Sequence, residues 1–230
     1  MGSDRRSPRL LFEGSSRTIP RVFTKLYNVW LGVAYSFAHL GRKVSIHQTC
    51  DLYNTSLIEI GDFVTVHKDT WLHAHRSAEK KEGAVLSIGD RCFIARRSHI
   101  SAKNSIVIEN DVLLAASVLI QDHGHQFTNI DVPIGKQGAT EGGTIRIGQG
   151  CWIGQSAAII CDGGDLVLGR NCVVGANAVV TRSAPPYSVL LGNPARIVKQ
   201  FDTEKGVWVL GSSRQRAAIP DKSAQGSCEP

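Results

Sequence analysis

The stretch Ile88-Gly89-Asp90-Arg91-Cys92-Phe93-Ile94-Ala95-Arg96-Arg97-Ser98-His99-Ile100 places an isoleucine at every sixth position, each followed by a small residue. The spacing continues to Ile106, restarts at Ile108, Leu114 and Ile120, and returns as Ile147, Ile153, Ile159 and as Leu168, Val174, Val180, with Ile60, Val66, Leu72 ahead of them. Helices repeat near 3.6 residues and half-buried strands near 2. A six-residue period fits neither. It is the mark of a parallel β-helix, in which each hexad forms one flat side of a coil and its aliphatic side chain points to the axis. Three hexads close one triangular turn, so the expected class is all-β.

Register also explains the cysteines. Cys92, Cys151 and Cys172 each fall four positions after a hexad aliphatic, where Ser98, Ala157 and Ala178 stand in other hexads. They read as small inward-facing fillers. With no CxxC pair and no secretory signal, the six cysteines suit a reduced, cytoplasmic chain.

The period sets the expected boundaries. Residues 1–18 are polar and read as a disordered start. Within 19–43, apolar residues from Val22 to Ala38 recur at three- and four-residue steps, which predicts an amphipathic helix over Arg21 to Leu40. Packing across the first coil is favoured for it over a membrane-surface role. The solenoid is expected over 44–191. It is interrupted at His75–Leu86, at the long Gln121–Thr144 loop, and by a three-residue stretching of the hexad at Cys161–Asp165. Ala184-Pro185-Pro186 ends the repeat because proline cannot donate to the ladder. A cap follows over 192–211, and 212–230 reads as a disordered tail.

The 230 residues carry a net charge of +6, which favours anionic partners. No nucleic-acid module is visible and the aromatics are few and scattered, so nucleic acid is excluded as a partner. Long ordered loops in a compact domain are usually functional, and the Gln121–Thr144 loop opens with Gln121-Asp122-His123-Gly124-His125. Imidazole titrates near neutrality and can take a proton from an attacking alcohol, its other nitrogen being fixed by a carboxylate. Asp122 is the candidate for that carboxylate, although neighbours on a strand point to opposite faces. His67, His73, His75 and His99 do not have the spacing of a zinc site, and no metal is expected.

Ile147-Gly148-Gln149-Gly150-Cys151-Trp152-Ile153-Gly154, Val174-Gly175-Ala176-Asn177-Ala178-Val179-Val180-Thr181-Arg182 and Gly192-Asn193-Pro194-Ala195-Arg196 occur in that order. In these motifs the sequence resembles the hexapeptide-repeat acyltransferases, the left-handed β-helix enzymes that include galactoside, maltose, nodulation-factor and polysaccharide-cluster O-acetyltransferases. The resemblance covers about Ile60 to Phe201. It implies a homotrimer with active sites between subunits, acetyl-coenzyme A as co-substrate with no tightly bound cofactor, and a sugar or polysaccharide-precursor acceptor.

Residue by residue, the resemblance makes His123 the catalytic base, with His125 as second choice. Gln155 offers its backbone amide to the thioester oxyanion. Ala176, Thr181 and Arg182 lie along the coenzyme, and Arg196 and Lys199 meet its phosphates. The family's sugar-holding asparagine is absent from Ile94-Ala95-Arg96-Arg97-Ser98, where Arg96 and Ser98 become the substrate-binding candidates and the arginines favour an acidic acceptor. The implied chemistry is direct acetyl transfer to a hydroxyl. An N-acetyltransferase of amino-sugar nucleotides is the alternative, and a metal-dependent, carbonic-anhydrase-like enzyme on the same solenoid is a more distant one.

Overall fold

The computed structural model describes residues 26–76 and 83–211. The expected disordered ends, 1–18 and 212–230, lie outside them. Three parallel sheets form the sides of a triangular solenoid. The first face is built from His39–Leu40, Ile58–Ile60, Leu86–Ile88, Ser105–Ile108, Gly143–Ile147 and Gly164–Leu168. The second runs from Ser45–Ile46 through Thr65–Val66, Phe93–Ile94, Leu113–Leu114 and Trp152–Ile153 to Val173–Val174 and Ser188–Leu191. The third comprises Asp51–Tyr53, Trp71–Ala74, His99–Ala102, Leu119–Gln121, Ala158–Ile160 and Val179–Val180.

Each hexad aliphatic from Ile60 to Val180 is at most 2% exposed, and partners stack in register: Leu72 on Ile100, Ile100 on Ile120, Ile120 on Ile159, Ile159 on Val180. Burying each contributes roughly 1.5–3 kcal/mol. The small residue after the aliphatic is a steric need. A Cβ on Gly148 would stand 2.6 Å from the Arg170 backbone nitrogen of the next coil. Cys92, Cys151 and Cys172 are buried, and each thiol donates to a carbonyl farther along the solenoid, those of Glu109, Gly169 and Pro185. Burial pushes the Cys92 thiol up to about 11, so it is inert near neutrality.

The three corners differ. Between the first and second faces the chain turns through positive φ at Lys43, Phe63, Arg91, Asp111 and Asn171, and between the second and third at Asp69, Arg97, Ser117, Ser156 and Asn177. Such conformations disfavour most side chains. Here they are held by inter-coil hydrogen bonds such as Arg91 N to Asp62 O at 2.8 Å and Ser117 N to Arg96 O at 3.0 Å. The third corner, leading back to the first face, takes every interruption of the period: the segment after His75, the loop after Gln121, and the extra residues at Cys161–Asp165.

Two boundaries shift from expectation. The helix occupies 26–34 among the described residues, and the solenoid begins at His39–Leu40, which pair with Glu59–Ile60, rather than at 44. The helix packs on the first coil through Leu31, fully buried, and through Asn28, which accepts from Ile46 N at 2.8 Å and donates to Ile46 O at 3.1 Å. Leu26, Val29, Trp30 and Val33 stay exposed, so the apolar periodicity marked a face that does not pack on the solenoid. Among the described residues, no helix is long and apolar enough to cross a membrane. Beyond the prolines the second face gains one more parallel strand, Ser188–Leu191. Arg196–Asp202 and Val207–Leu210 then extend it antiparallel as the cap.

Candidate active site

The third-face strand stops at Gln121, so Asp122 and His123 are freed from the alternation that would send them to opposite sides. Asp122 turns under the corner and is completely buried. Its Oδ1 accepts from Lys103 N at 2.8 Å and its Oδ2 from Asn104 N and Ser105 N at 2.8 and 2.9 Å. Oδ1 also meets His123 Nδ1 at 2.9 Å. A carboxylate in that position accepts a hydrogen bond from Nδ1–H, which leaves the Nε2 lone pair free. The pairing that strand geometry argued against is therefore present, and the imidazole side chain is only 13% exposed. His125, two residues on, is exposed and bridges through its backbone to Ala139, and among the described residues no carboxylate meets its ring.

The loop root is braced from two coils. Gly143 N donates to Asp122 O at 2.7 Å and Thr140 N to Gly124 O at 3.0 Å, closing the arm on itself. Thr140 Oγ1 accepts from Gly124 N at 2.8 Å and donates to Asp162, while the Lys103 ammonium donates to Thr140 O. The extra residues at Cys161–Asp165 thus place Asp162 as a prop for the 121–144 loop. Gly142 has φ +76°, and a Cβ there would fall 2.4 Å from Asp122 O and 3.0 Å from His123 Cβ. Only glycine lets the returning strand pass so close. The sequence marks the extra residues at Asp162 and the long loop that holds Thr140 and Gly142, but not their contacts at the histidine; these, and the amides of 103–105, arrive through the return of the loop and the stacking of coils.

The other site candidates are spread around the solenoid. Gln155 and Ala176 are exposed on the corner between the second and third faces, stacked one coil apart, with Asn177 N on Gln155 O at 2.9 Å. Thr181 and Arg182 are exposed at the far edge of the third face, on the His123 side. Lys199 is exposed and Arg196 half-buried on the cap strand. Gln155 and His123 thus occupy opposite edges of one face and do not form one site within a chain. Arg96 is exposed on the same corner as Gln155. Ser98 is not available to a substrate: it is 1% exposed and points into the coil, its hydroxyl donating to Ala95 O at 2.9 Å. It is the filler its register indicated, and the substrate role is withdrawn.

Comparison with known proteins agrees with this architecture. The profile described as the hexapeptide repeat of succinyl-transferase matches residues 85–121 and 144–182. A Mycobacterium tuberculosis protein named as an acetyltransferase, Rv3034c, is 34% identical over 70% of this chain and 49% of its own length. An Escherichia coli protein named as a lipopolysaccharide-biosynthesis O-acetyltransferase, WbbJ, is 30% identical over 54% of this chain and 65% of its own. The chain therefore spans about half to two thirds of the curated relatives it matches. Among solved structures, a variant of AntD, an N-acyltransferase from Bacillus cereus crystallised with dTDP and coenzyme A, superposes with a TM-score of 0.61. That match covers 77% of this chain and 90% of the other at 19% identity, and so shows the shared left-handed β-helix fold.

Proposed function

We propose that the chain is a hexapeptide-repeat acyltransferase that transfers an acetyl group from acetyl-coenzyme A to a hydroxyl of a sugar or polysaccharide precursor, with His123 as the base; the repeat profile and the likeness to the two relatives named as acetyltransferases support this. The observation that carries this is the buried Asp122–His123 pair with Nε2 free at the rim of the third face. The acceptor oxygen attacks the thioester carbon as its proton passes to His123 Nε2. The tetrahedral oxyanion then collapses, breaking the carbon–sulfur bond. Coenzyme A leaves as a thiolate and takes the proton from the imidazolium, which returns the histidine to its starting form.

A backbone amide aimed at the oxyanion is worth about 3 kcal/mol. Gln155 is the proposed donor, and its place on the opposite edge of the face supports a donor from a neighbouring copy. We infer a homotrimer on that ground. The exposed apolar tip of the catalytic loop supports it too: Phe127 is 65%, Ile130 94% and Ile134 56% exposed. Ala176, Thr181, Arg182, Arg196 and Lys199 are then assigned to the coenzyme, the basic ones to its phosphates.

Transfer to a hydroxyl is favoured over transfer to an amine by the likeness to WbbJ, the relative named for O-acetylation. Incubation with acetyl-coenzyme A and paired hydroxyl and amino sugars, with thiol release followed, tests this. Acceptor-dependent release with hydroxyl sugars is expected; release with amino sugars alone would move the assignment to N-transfer.

A further inference from the structure

Upstream of His123 the outer surface of the third face is built from rings. Trp71 lies in register between Asp51 and His99, and His73 between Tyr53 and Ser101. Both point outward, since the alternating Leu72 and Ala74 are fully buried. The Trp71 indole stacks on His73 at 4.9 Å and 14° and approaches His99 at 4.3 Å. Tyr53 reaches His73 at 5.7 Å and His75 at 5.3 Å, and the His75 ring stands 6.1 Å from that of His123. One continuous ring surface therefore runs from solvent-exposed Trp71 to the base. Downstream of His99 the same outer columns hold Leu119, Ala158 and Val179, and Gln121 and Ile160, without a ring.

Two further observations say what such a surface takes. Among the described residues, His73 Nε2 is buried and makes no hydrogen bond, although the Asp51 carboxylate is 3.4 Å away. A buried polar atom in that state is satisfied by a water or by a ligand hydroxyl that takes the water's place. Burial, and then the neighbouring imidazoles, lower the pKa of His75 and His99, so both are neutral near pH 7. A neutral imidazole offers one donor and one acceptor, which matches the two-way hydrogen bonding of a sugar hydroxyl. Flat rings fringed by a few polar groups suit a pyranose, whose C–H face is apolar and whose edge is polar.

We propose that the Tyr53–Trp71–His73–His99 surface seats the acceptor: a hexopyranose ring stacks on Trp71, its hydroxyls bond His73 and His99, and the reacting hydroxyl passes His75 to reach His123. The assignment rests on the transfer reading of His123, but the seat can be tested without turnover. Saturation-transfer NMR of the full chain with the methyl glycosides of glucose, galactose and glucuronic acid should show ring-proton contacts in the wild type. The signal should be lost in Trp71→Ala and weakened in Tyr53→Ala and His99→Gln, all with unchanged circular dichroism. His123→Ala should keep the contacts while losing acetyl transfer. In turnover, Trp71→Ala should raise the acceptor KM about tenfold or more and leave the acetyl-coenzyme A KM unchanged. No contacts in the wild type, equal contacts in folded Trp71→Ala and Tyr53→Ala, or binding of UMP with no glycoside signal would each overturn the seat. Retained transfer in His123→Ala would sink the base and leave the seat standing.

Discussion

The two halves of the third face share one inner column and differ completely outside. Inside, Leu72, Ile100, Ile120, Ile159 and Val180 stack without interruption. Outside, the early coils present Tyr53, Trp71, His73 and His99, and the later ones Leu119, Ala158, Ile160 and Val179. The solenoid demands only the inner column, so its outer columns are free to specialise. Here they change character at the coil that carries His123, from the ring surface proposed to seat the acceptor to the coils whose Thr181 and Arg182 are proposed to meet the coenzyme.

Breaking the boundary itself should have the largest effect. His123→Ala is expected to lower kcat by about 10²–10⁴-fold with the fold intact, measured as acceptor-dependent thiol release. Asp122→Asn should fall within the same range, because an amide cannot fix the Nδ1–H tautomer, and should also lower the thermal midpoint by facing three backbone donors with a poorer acceptor. His125→Ala should stay within about twofold of the wild type, since a substitution outside that hydrogen-bond network removes no proton acceptor.

Next in size is Gly142→Ala. Forcing a Cβ against Asp122 O at positive φ costs about 1–3 kcal/mol. Activity and thermal midpoint should fall together, whereas Gly138→Ala, equally at positive φ but with nothing within 4 Å, should lower only the midpoint, and by less.

The smallest effect is the acid response of the histidines. Burial is the main cause lowering the pKa of His47, beside His67, Lys68 and Asp69; of His75, beside His123, His73 and Asp122; and of His99, beside His73 and Asp51. The folded state then binds fewer protons than the unfolded chain once pH falls through the ordinary value of 6.5. Their contribution is therefore full above about pH 7 and is lost as acid is added. The thermal midpoint should drop between pH 7.5 and 5.5, and His75→Gln with His99→Gln should flatten that drop. The lowered carboxylates Asp62, Asp111 and Asp202 titrate below this window.

Legibility followed the same division. The inner column was readable because burial fixes residue type at every sixth position, and that alone yields the fold and the buried cysteines. His123 and Asp122 could be singled out as a candidate pair against the alternation of a strand; what makes the pairing possible, the strand ending at Gln121 and the amides from Lys103 to Ser105 one coil earlier, is not written locally. Spacing could not separate His123 from His125; only the buried carboxylate does. The charge of its corner suggests a surface role for Ser98, but its register, four positions after Ile94, turns it inward. The contact of Trp71 with His99 was hidden by the segment inserted between their strands, which breaks the six-residue count linking them.

The division at His123 is tested most directly by initial rates over a matrix of acceptor and acetyl-coenzyme A concentrations for Trp71→Ala and Arg182→Ala. The expected result is that Trp71→Ala raises only the acceptor KM and Arg182→Ala only the acetyl-coenzyme A KM. Both variants raising the same KM would contradict it.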